Sequence, residues 1–486
     1  MSRELPRFSF LALAASIGLG CGDSTTGGAG GGGGTAPIEP SLAVVHEADP
    51  DLAAEGRAAF ADHRLVQGVI PADAMRHLYI AWSGDLASYY TFYTDEDAYW
   101  AAFNERYGTL PSPFVGDRYP AGFGVASDGQ VGIDCLLCHA GRLDGETVIG
   151  LANNRLDLRG FVEDLQALPA AIAALKMQPL PAPYDALVQA IPATTIPEPY
   201  ASLQVPTAAA GANDGFGLGL LTSTFYAAPP AGLNTFTGYQ DPPAWWTIRF
   251  KERLYTDGAA PADGIYTMMS TLLAFGLSYA ELASYVPTFQ AIRHDLCSLP
   301  VPRWEDHDLP AIDPTLAARG GDVFRERCAT CHGAFTGDAF PNLVVPTGEI
   351  GTDPFRSDHF GQVEADWFNG FIPGSAGEMT ATDGYLAPAL VGIWASAPYL
   401  HDGSVPTLRA LLDPATRPTR WRRSGEAVNA VDVGLGYEVV DAAGDRDTIE
   451  GRKVVDTTVE AMGAGGHEIA VPAEDLDALL EFLKTL

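Results

Sequence analysis

Two short segments with the same spacing of cysteine and histidine constrain this chain more than any other feature. Residues 135–139 read Cys-Leu-Leu-Cys-His, and residues 328–332 read Cys-Ala-Thr-Cys-His. On one helical turn the two cysteines and the histidine face the same side. Two thiols can then reach the vinyl groups of one haem while the adjacent imidazole reaches its iron. The spacing therefore predicts two covalently bound haem c groups. The residues that would hold them are Cys135, Cys138 and His139 in the first motif and Cys328, Cys331 and His332 in the second.

Other uses of closely spaced cysteines explain this pattern less well. A disulfide between two such cysteines does not require a histidine next to it in both motifs. A structural zinc site requires four ligands clustered together, and each motif supplies three. His139 and His332 are therefore predicted to be the proximal iron ligands.

The N-terminus carries the pattern of an export signal. Residues 1–20 include an apolar stretch, residues 8–19, that is too short to span a bilayer. Cys21 follows Gly-Leu-Gly and resembles the lipid-bearing cysteine of a bacterial lipobox, although a glycine stands where leucine is usual. We predict a signal peptide over 1–20 and lipidation of Cys21, with ordinary cleavage nearby as the alternative. Residues 21–45 are predicted to be a glycine-rich tether.

Composition and charge agree with a protein that works outside the cytoplasm. The formal net charge of −32 argues against nucleic acid as a partner. No segment after the signal has 18 uninterrupted apolar residues, so we expect contact with a membrane only through the lipid anchor. The predicted location is the periplasm or the outer membrane.

The distribution of apolar residues and prolines predicts a mainly α fold with two cytochrome c-like haem domains and long loops. The first domain is assigned to residues 46–309 and the second to residues 310–486. A predicted helix over 314–327 precedes the second motif. A second predicted helix over 472–486 carries leucines at 476, 479, 480 and 483, the spacing of one helical face.

In the first half we predict helices over 51–65 and 265–275. The proline-rich stretches 178–206 and 226–243 are predicted to be long loops. No repeated strand pattern is evident.

One stretch of the second half is similar to a known family. Residues 397–403 read Ala-Pro-Tyr-Leu-His-Asp-Gly, which resembles the signature of bacterial dihaem cytochrome c peroxidases, and the flanks 391–394 and 404–408 resemble that family too. Further segments resemble the rubber oxygenase-like branch of the superfamily, and the resemblance extends over nearly the whole mature chain. These segments are 243–246, 253–258, 417–418 and 466–468.

The resemblance implies a haem-dependent oxidoreductase of the peroxidase or oxygenase type. The branch implies histidine on both faces of the C-terminal haem iron, and His467, in a glycine-rich loop before the final helix, is the best match. His401 is the first rival for this position. Met462 is the second, since related peroxidases use a methionine.

The N-terminal haem departs from the family pattern. Typical dihaem peroxidases carry a second histidine shortly after the first motif, whereas residues 140–176 contain no histidine and no methionine. We therefore predict an iron without a strong protein ligand on its distal side, open to peroxide or dioxygen. A distal histidine from position 63, 77 or 294 would instead give a non-enzymatic electron-transfer cytochrome, which is the alternative function.

Trp245 and Trp246 are the candidate catalytic residues. They would bridge the two haems electronically or line the distal pocket, and packing in the core is the equally weighted alternative. The partners expected for an enzyme of this kind are a small-molecule oxidant, peroxide or dioxygen, and an electron donor or organic substrate. A redox sensor is disfavoured because no output domain is evident.

Overall fold

The computed structural model describes most of the chain after the N-terminal segment. The described residues are 40–486 except 67, 83, 199, 226, 270–278 and 372–377. The predicted signal peptide, Cys21 and the tether up to residue 39 lie outside the described residues. Residues from Pro40 to Leu486 belong to one compact unit. The domain boundary at 309/310 stays a prediction.

Helices make up the larger share of the regular structure. The α-helices are α1 (Pro50–Ala61), α2 (Ala72–His77), α3 (Leu86–Thr94), α4 (Glu96–Tyr107), α5 (Leu136–His139), α6 (Leu158–Lys176), α7 (Ala182–Ala190), α8 (Gly215–Ser223), α9 (Ile265–Met269), α10 (Tyr279–Leu282), α11 (Val286–Ser298), α12 (Pro314–Arg327), α13 (Ala329–His332), α14 (Thr347–Ile350), α15 (Phe355–His359), α16 (Gln362–Phe371), α17 (Leu408–Leu412), α18 (Ile449–Arg452) and α19 (Ala473–Lys484). Short 3-10 turns occur at Leu78–Ala81, Trp245–Phe250, Ala283–Tyr285, Trp304–Asp306, Ile393–Ala395 and Pro414–Thr416.

The strands are short and pair in antiparallel fashion. They are β1 (Phe123–Val125), β2 (Val131–Ile133), β3 (Ala140–Leu143), β4 (Glu146–Ile149), β5 (Thr207–Ala209), β6 (Ala212–Asn213), β7 (Arg253–Leu254), β8 (Ala260–Pro261), β9 (Val344–Pro346), β10 (Gly384–Leu386), β11 (Arg420–Asn429), β12 (Gly434–Val439) and β13 (Val454–Asp456). Five pairs are two-stranded, and β11 lies between β12 and β13 in a three-stranded sheet. In the pair after the first motif, Ala140 lies opposite Ile149 and Leu143 opposite Glu146.

Helices α12 and α19 form the cytochrome c-like pair around the second motif. Asp313 caps α12, because its carboxylate accepts the backbone N–H groups of Thr315 and Leu316 at 2.8 and 3.1 Å. At the crossing, a Cβ added to Gly320 would lie 1.9 Å from the carbonyl oxygen of Ala478. The helix predicted over 314–327 is confirmed, and the one predicted over 472–486 is confirmed within two residues at each end.

The fold is mixed rather than mainly α, with 42% helix and 13% strand. The strands escaped prediction because most have two to four residues, too few to show an alternating pattern. The longest, β11, contains Gly425, Glu426 and Asn429, residue types that are depleted in strands.

The helix and loop predictions for the first half need two corrections, and a third prediction is tested only in part. The helix predicted over 51–65 ends at Ala61 in α1. The stretch 178–206, predicted to be a loop, contains α7, whose second residue is Pro183, because proline is compatible with the first turn of a helix. Of the helix predicted over 265–275, α9 is described and residues 270–275 lie outside the described residues.

Three apolar clusters form the core. The largest contains both tryptophans of the 245–246 pair together with Phe324, Trp394 and Leu479. The second is rich in aromatic rings from α3, α4 and α6, including Tyr99. The third, smaller cluster lies beside the three-stranded sheet.

Two buried ion pairs join segments that are far apart in the sequence. Arg452 donates from Nε to both carboxylate oxygens of Asp157 at 2.9 Å. Arg356 donates from Nε to Asp257 at 2.8 Å. Both guanidinium groups are fully buried, so each carboxylate offsets a charge that water does not reach. Within the part of the chain that is described, no helix is long and apolar enough to cross a bilayer.

Candidate functional site

The first motif lies on α5, a single turn held at its start by Asp134. The carboxylate of Asp134 accepts the backbone N–H of Leu136 at 2.8 Å. The backbone N–H of His139 donates to the carbonyl of Cys135 at 3.0 Å, which closes the turn. Asn153 holds the turn from outside by donating to the Leu137 carbonyl at 3.1 Å. The two cysteines and His139 therefore project from one short, fixed turn.

The imidazole of His139 is stacked on the indole of Trp245. Their ring centroids are 4.4 Å apart and their planes differ by 21°. Burial lowers the pKa of His139 to about 4, an effect that the Pro243 carbonyl partly opposes. The ring is therefore neutral near pH 7, the form that binds a metal. Its Nδ1 atom is buried and makes no hydrogen bond of ordinary geometry.

The second motif spans the junction of α12 and α13, where His332 has a defined tautomer. Its Nδ1 lies 2.8 Å from the carbonyl oxygen of Pro388. A carbonyl oxygen can only accept, so Nδ1 carries the proton and Nε2 presents a lone pair. A hydrogen bond at the far nitrogen also fixes the ring orientation of a metal-ligating histidine and makes it more basic. His332 is thus prepared to bind a metal through Nε2.

His467 faces His332 at a distance that fits one metal ion between them. The ring centroids are 6.3 Å apart, with the planes at 56°. Two metal–nitrogen bonds of about 2 Å on opposite sides of one ion, plus the offset of each nitrogen from its ring centre, give about 6 Å. Burial, with smaller contributions from nearby His332 and Arg417, lowers the pKa of His467 to about 4. Both imidazoles are therefore neutral near pH 7.

The loop that carries His467 is fastened on two sides. The backbone N–H of His467 donates to the Ile350 carbonyl at 2.8 Å. A Cβ at Gly466 would lie 2.2 Å from the carbonyl carbon of Gly351, so only glycine allows this close approach. Arg417 donates from Nη1 to the carbonyls of Ala464 and Gly466 at 2.6 and 2.8 Å.

The role of Arg417 in holding this loop was missed by the sequence reasoning. The sequence feature that points to this role is the Arg417-Pro418 pair, one of the segments that resemble the rubber oxygenase-like branch.

The two rivals for the sixth ligand position lie in other surroundings. Met462 belongs to the small apolar cluster that also contains Trp421. His401 is stacked on Tyr385, with ring centroids 4.2 Å apart and planes at 20°. Of the three candidates, His467 is the one whose ring is paired with that of His332.

His401 lies beside a buried acidic group. The backbone N–H of Asp241 donates to the His401 carbonyl at 2.9 Å. Burial raises the pKa of Asp402 to about 7. Burial and the charge of Asp402 raise the pKa of Asp241 well above its usual value. Asp241 and Asp402 therefore hold their protons to a higher pH than exposed aspartates do.

The motif cysteines are partly buried thiols that form no disulfide within the part of the chain that is described. Burial raises the pKa of Cys138 to about 12 and that of Cys328 to about 11. Thiols of this kind are poor free nucleophiles and poor metal ligands at neutral pH. Together with the facing imidazoles, they fit a haem bound covalently through its periphery, with the iron held by histidine.

The histidines considered as alternative distal ligands each have partners elsewhere. His77 donates from Nδ1 to the Asp73 carbonyl, 2.9 Å away, and His294 accepts the Asp49 N–H at 3.0 Å. His63 lies near the first motif: its Nε2 is 3.2 Å from Asp117, and it opposes part of the rise in the pKa of Asp134 to about 6 that burial causes. Among the described residues, Trp245 is the ring paired with His139, and no histidine ring is.

Trp246 links the first motif to the segment that holds His332. Its indole Nε1 donates to the Val391 carbonyl at 2.9 Å, and the side chain is 1% exposed. Pro388, which accepts from His332, is three residues before Val391. Trp245 therefore contacts the ring of His139, and Trp246 contacts the segment that orients His332, so the tryptophan pair connects the two motif histidines. The geometry brings together His139 with Trp245 and His332 with His467.

Comparison with known proteins supports a relation to the cytochrome c family. A family model described as RoxA-like, cytochrome c-like matches residues 384–422, a stretch that includes Pro388, His401 and Arg417. This match supports covalently bound haem c and a haem c oxidoreductase.

The curated relatives carry no functional description. The uncharacterized protein y4iM of Sinorhizobium fredii (strain NBRC 101917 / NGR234) is 27% identical over 217 residues, 36% of this chain and 49% of that protein. The uncharacterized protein y4iJ of the same strain is 28% identical over 273 residues, 42% of this chain and 44% of that protein. The matched part of the chain thus spans slightly less than half the length of each relative.

Proposed function

We propose that this chain is an exported oxidoreductase of the dihaem cytochrome c peroxidase superfamily with two covalently bound haem c groups. His139 would hold one haem, which would supply a site for peroxide or dioxygen, and His332 would hold the other, which would store and relay electrons. The single observation that carries this proposal is the asymmetry of the two motif histidines. Among the described residues, the ring of His332 has the ring of His467 6.3 Å away, whereas the ring of His139 has no second histidine ring near it and is stacked on Trp245.

The residues around the two motifs would have different roles. Haem iron supplies one-electron chemistry and, where a coordination position is open, a site for dioxygen or peroxide. Trp245 fixes the ring plane of His139 through stacking and keeps water from that face. Trp246 connects this site to Val391 and so to the segment that orients His332. His467, held by Arg417 and Ile350, closes the second site against exogenous ligands.

The resting spin states test the proposal. Electron paramagnetic resonance of the ferric protein should show one high-spin and one low-spin haem. Two low-spin haems would contradict an open site at His139. Addition of hydrogen peroxide should then perturb the high-spin signal first.

The alternative is a non-enzymatic electron-transfer cytochrome with a distal ligand at both haems. The observation that favours it is His63, whose Nδ1 is buried without a hydrogen-bond partner among the described residues and which is close enough to Asp134, beside the first motif, to oppose part of the burial-induced rise in the pKa of that carboxyl. A His63→Ala variant distinguishes the two functions. Conversion of a low-spin haem to high spin by this change would favour the carrier, and an unchanged spectrum would favour the enzyme.

The substrate and location are separate parts of the proposal. Turnover of hydrogen peroxide with a reduced donor would indicate a peroxidase. Oxygen uptake with polyisoprene would indicate an oxygenase of the rubber-cleaving kind. A Cys21→Ala variant should move from the membrane fraction to the soluble periplasm if Cys21 carries a lipid. The acidic charge of −32 disfavours nucleic acid as a partner.

A further inference from the structure

A second group of aromatic rings continues from Trp246 toward the surface. Gly392, next to Val391, has a φ of +67°, and a Cβ there would lie 2.7 Å from Trp246 Nε1. Glycine thus lets the Trp246 indole pack directly against the backbone that leads, two residues later, to Trp394. Trp246 and Trp394 belong to the same apolar cluster.

Trp394 contacts two further rings. Its centroid is 5.3 Å from that of Trp304, with planes at 75°, and 5.1 Å from that of His307, with planes at 65°. Both are edge-to-face arrangements within the usual range for aromatic pairs. The side chain of His307 is 18% exposed and pairs with Asp144, which is 48% exposed. The group therefore reaches from the buried Trp246 to solvent.

Charges around the rings distinguish Trp394 from Trp304. The ammonium group of Lys484, which is paired with Glu481, lies over the Trp304 ring, 5.0 Å from its centroid. A fixed positive charge disfavours a second positive charge on that indole. The ring of His307, next to Trp394, pairs with Asp144, so a carboxylate lies one ring away from Trp394. A positive charge is therefore more stable on the indole of Trp394 than on that of Trp304.

We propose that Trp394 is the outer electron-transfer residue of a path that runs from the His139 haem site through Trp245 and Trp246 to the surface at His307. The path rests on the proposed reaction of that site with peroxide. An electron moves from Trp394 inward, and an external one-electron donor replaces it at the His307 end. The Trp394 Nε1–H points at the Pro302 carbonyl, 3.1 Å away, which is too weak a base to take the proton.

Without an external donor, Trp394 itself is oxidised. It gives up two electrons in two steps and two protons, and it gains the oxygen of one water molecule. The two electrons and two protons convert one hydrogen peroxide to two water molecules. The net change is one hydroxylated tryptophan and one water molecule for each tryptophan and peroxide.

Peptide mass spectrometry of the haem-loaded protein after treatment with hydrogen peroxide, without donor, tests the path. We expect an added oxygen on Trp394 in severalfold excess over Trp304 and over Trp100, a buried indole of the second apolar cluster. Trp246→Phe should lower the oxidation of Trp394 severalfold. Trp100→Phe, the matched control outside the path, should leave it unchanged. Lys484→Met should raise the share of oxidation at Trp304.

A second variant covers the case in which Trp246→Phe does not fold. Trp394→Phe should shift the added oxygen inward to Trp246. The haem absorption recorded in the same samples separates the two proposals. A haem that responds to peroxide while Trp394 is oxidised no more than Trp100 overturns the path alone. A haem that does not respond overturns the path and the proposed reaction together.

Discussion

The buried pair of Arg356 and Asp257 gives a stability prediction that can be worked out from its contacts. The guanidinium Nε donates to Asp257 at 2.8 Å, Nη2 lies 2.7 Å from the same carboxylate oxygen, and Nη1 donates to Thr237 at 2.7 Å. The rings of Phe216 and Phe360 lie 4.7 and 4.4 Å from the guanidinium carbon. Arg356 is 0% exposed and Asp257 is 1% exposed. Replacement of the arginine alone therefore leaves a buried carboxylate without its counter-charge.

The expected cost follows from that uncompensated charge. Removing one partner of a buried ion pair destabilises a protein by about 3–5 kcal/mol. At about 1.36 kcal/mol for each factor of ten, the unfolding constant of Arg356→Met rises by a factor between about 10² and 10⁴. The double variant Arg356→Met/Asp257→Asn removes both charges and keeps an amide oxygen for the Ala259 N–H that Asp257 accepts at 3.0 Å. It should be more stable than Arg356→Met.

Urea unfolding of the haem-loaded protein, followed by far-ultraviolet circular dichroism, measures these free energies of unfolding. The matched control is Arg422→Met, because the Arg422–Glu438 pair is 54% and 47% exposed and such pairs contribute about 0–1 kcal/mol. A cost for Arg356→Met no larger than that of the control would refute the reasoning. A double variant less stable than Arg356→Met would refute it too.

Three further predictions concern the haem sites and the helix pair beside them. His467→Ala should convert the haem of the second motif from low spin to high spin in the ferric state, while Met462→Leu leaves both spin states unchanged. Gly320→Ala should destabilise the protein by about 1–3 kcal/mol in the same urea assay, since the new Cβ meets the carbonyl of the facing helix. Gly348→Ala is its control, because nothing lies within 4 Å of a Cβ there. Cys138→Ser should leave the first haem attached by one bond and released by a reagent that cleaves one thioether, and a haem resistant to that treatment would contradict the attachment.

The parts of the fold that could be predicted from the sequence are those with local signals. The helix from Pro314 is marked by a capping aspartate, a proline at its first position and an apolar face. The two motifs carry their ligands within five residues. His467 was selected by its place before the last helix and by the glycines around it, and the structure pairs its ring with that of His332.

The parts that escaped prediction depend on residues far apart in the chain. Trp245 stacks on His139 although more than a hundred residues separate them in the sequence, and no local spacing pattern predicts such a contact. The bonds from Arg417 to the His467 loop and from Arg356 to Asp257 are of the same kind. The short strands were not predicted because two to four residues are too few to show alternation of apolar and polar side chains. Helix α7 was not predicted because prolines at its start were interpreted as a loop.

The central claim is that both motifs hold haem covalently. The most direct measurement is the intact mass of the protein matured in a periplasm with haem-ligating machinery, under denaturing conditions that release non-covalent haem. The account predicts the mass of the processed chain plus two haem groups. It also predicts that Cys135→Ala/Cys138→Ala removes one haem and Cys328→Ala/Cys331→Ala removes the other. A processed polypeptide without added haem, from material in which a control cytochrome is fully matured, would contradict the account.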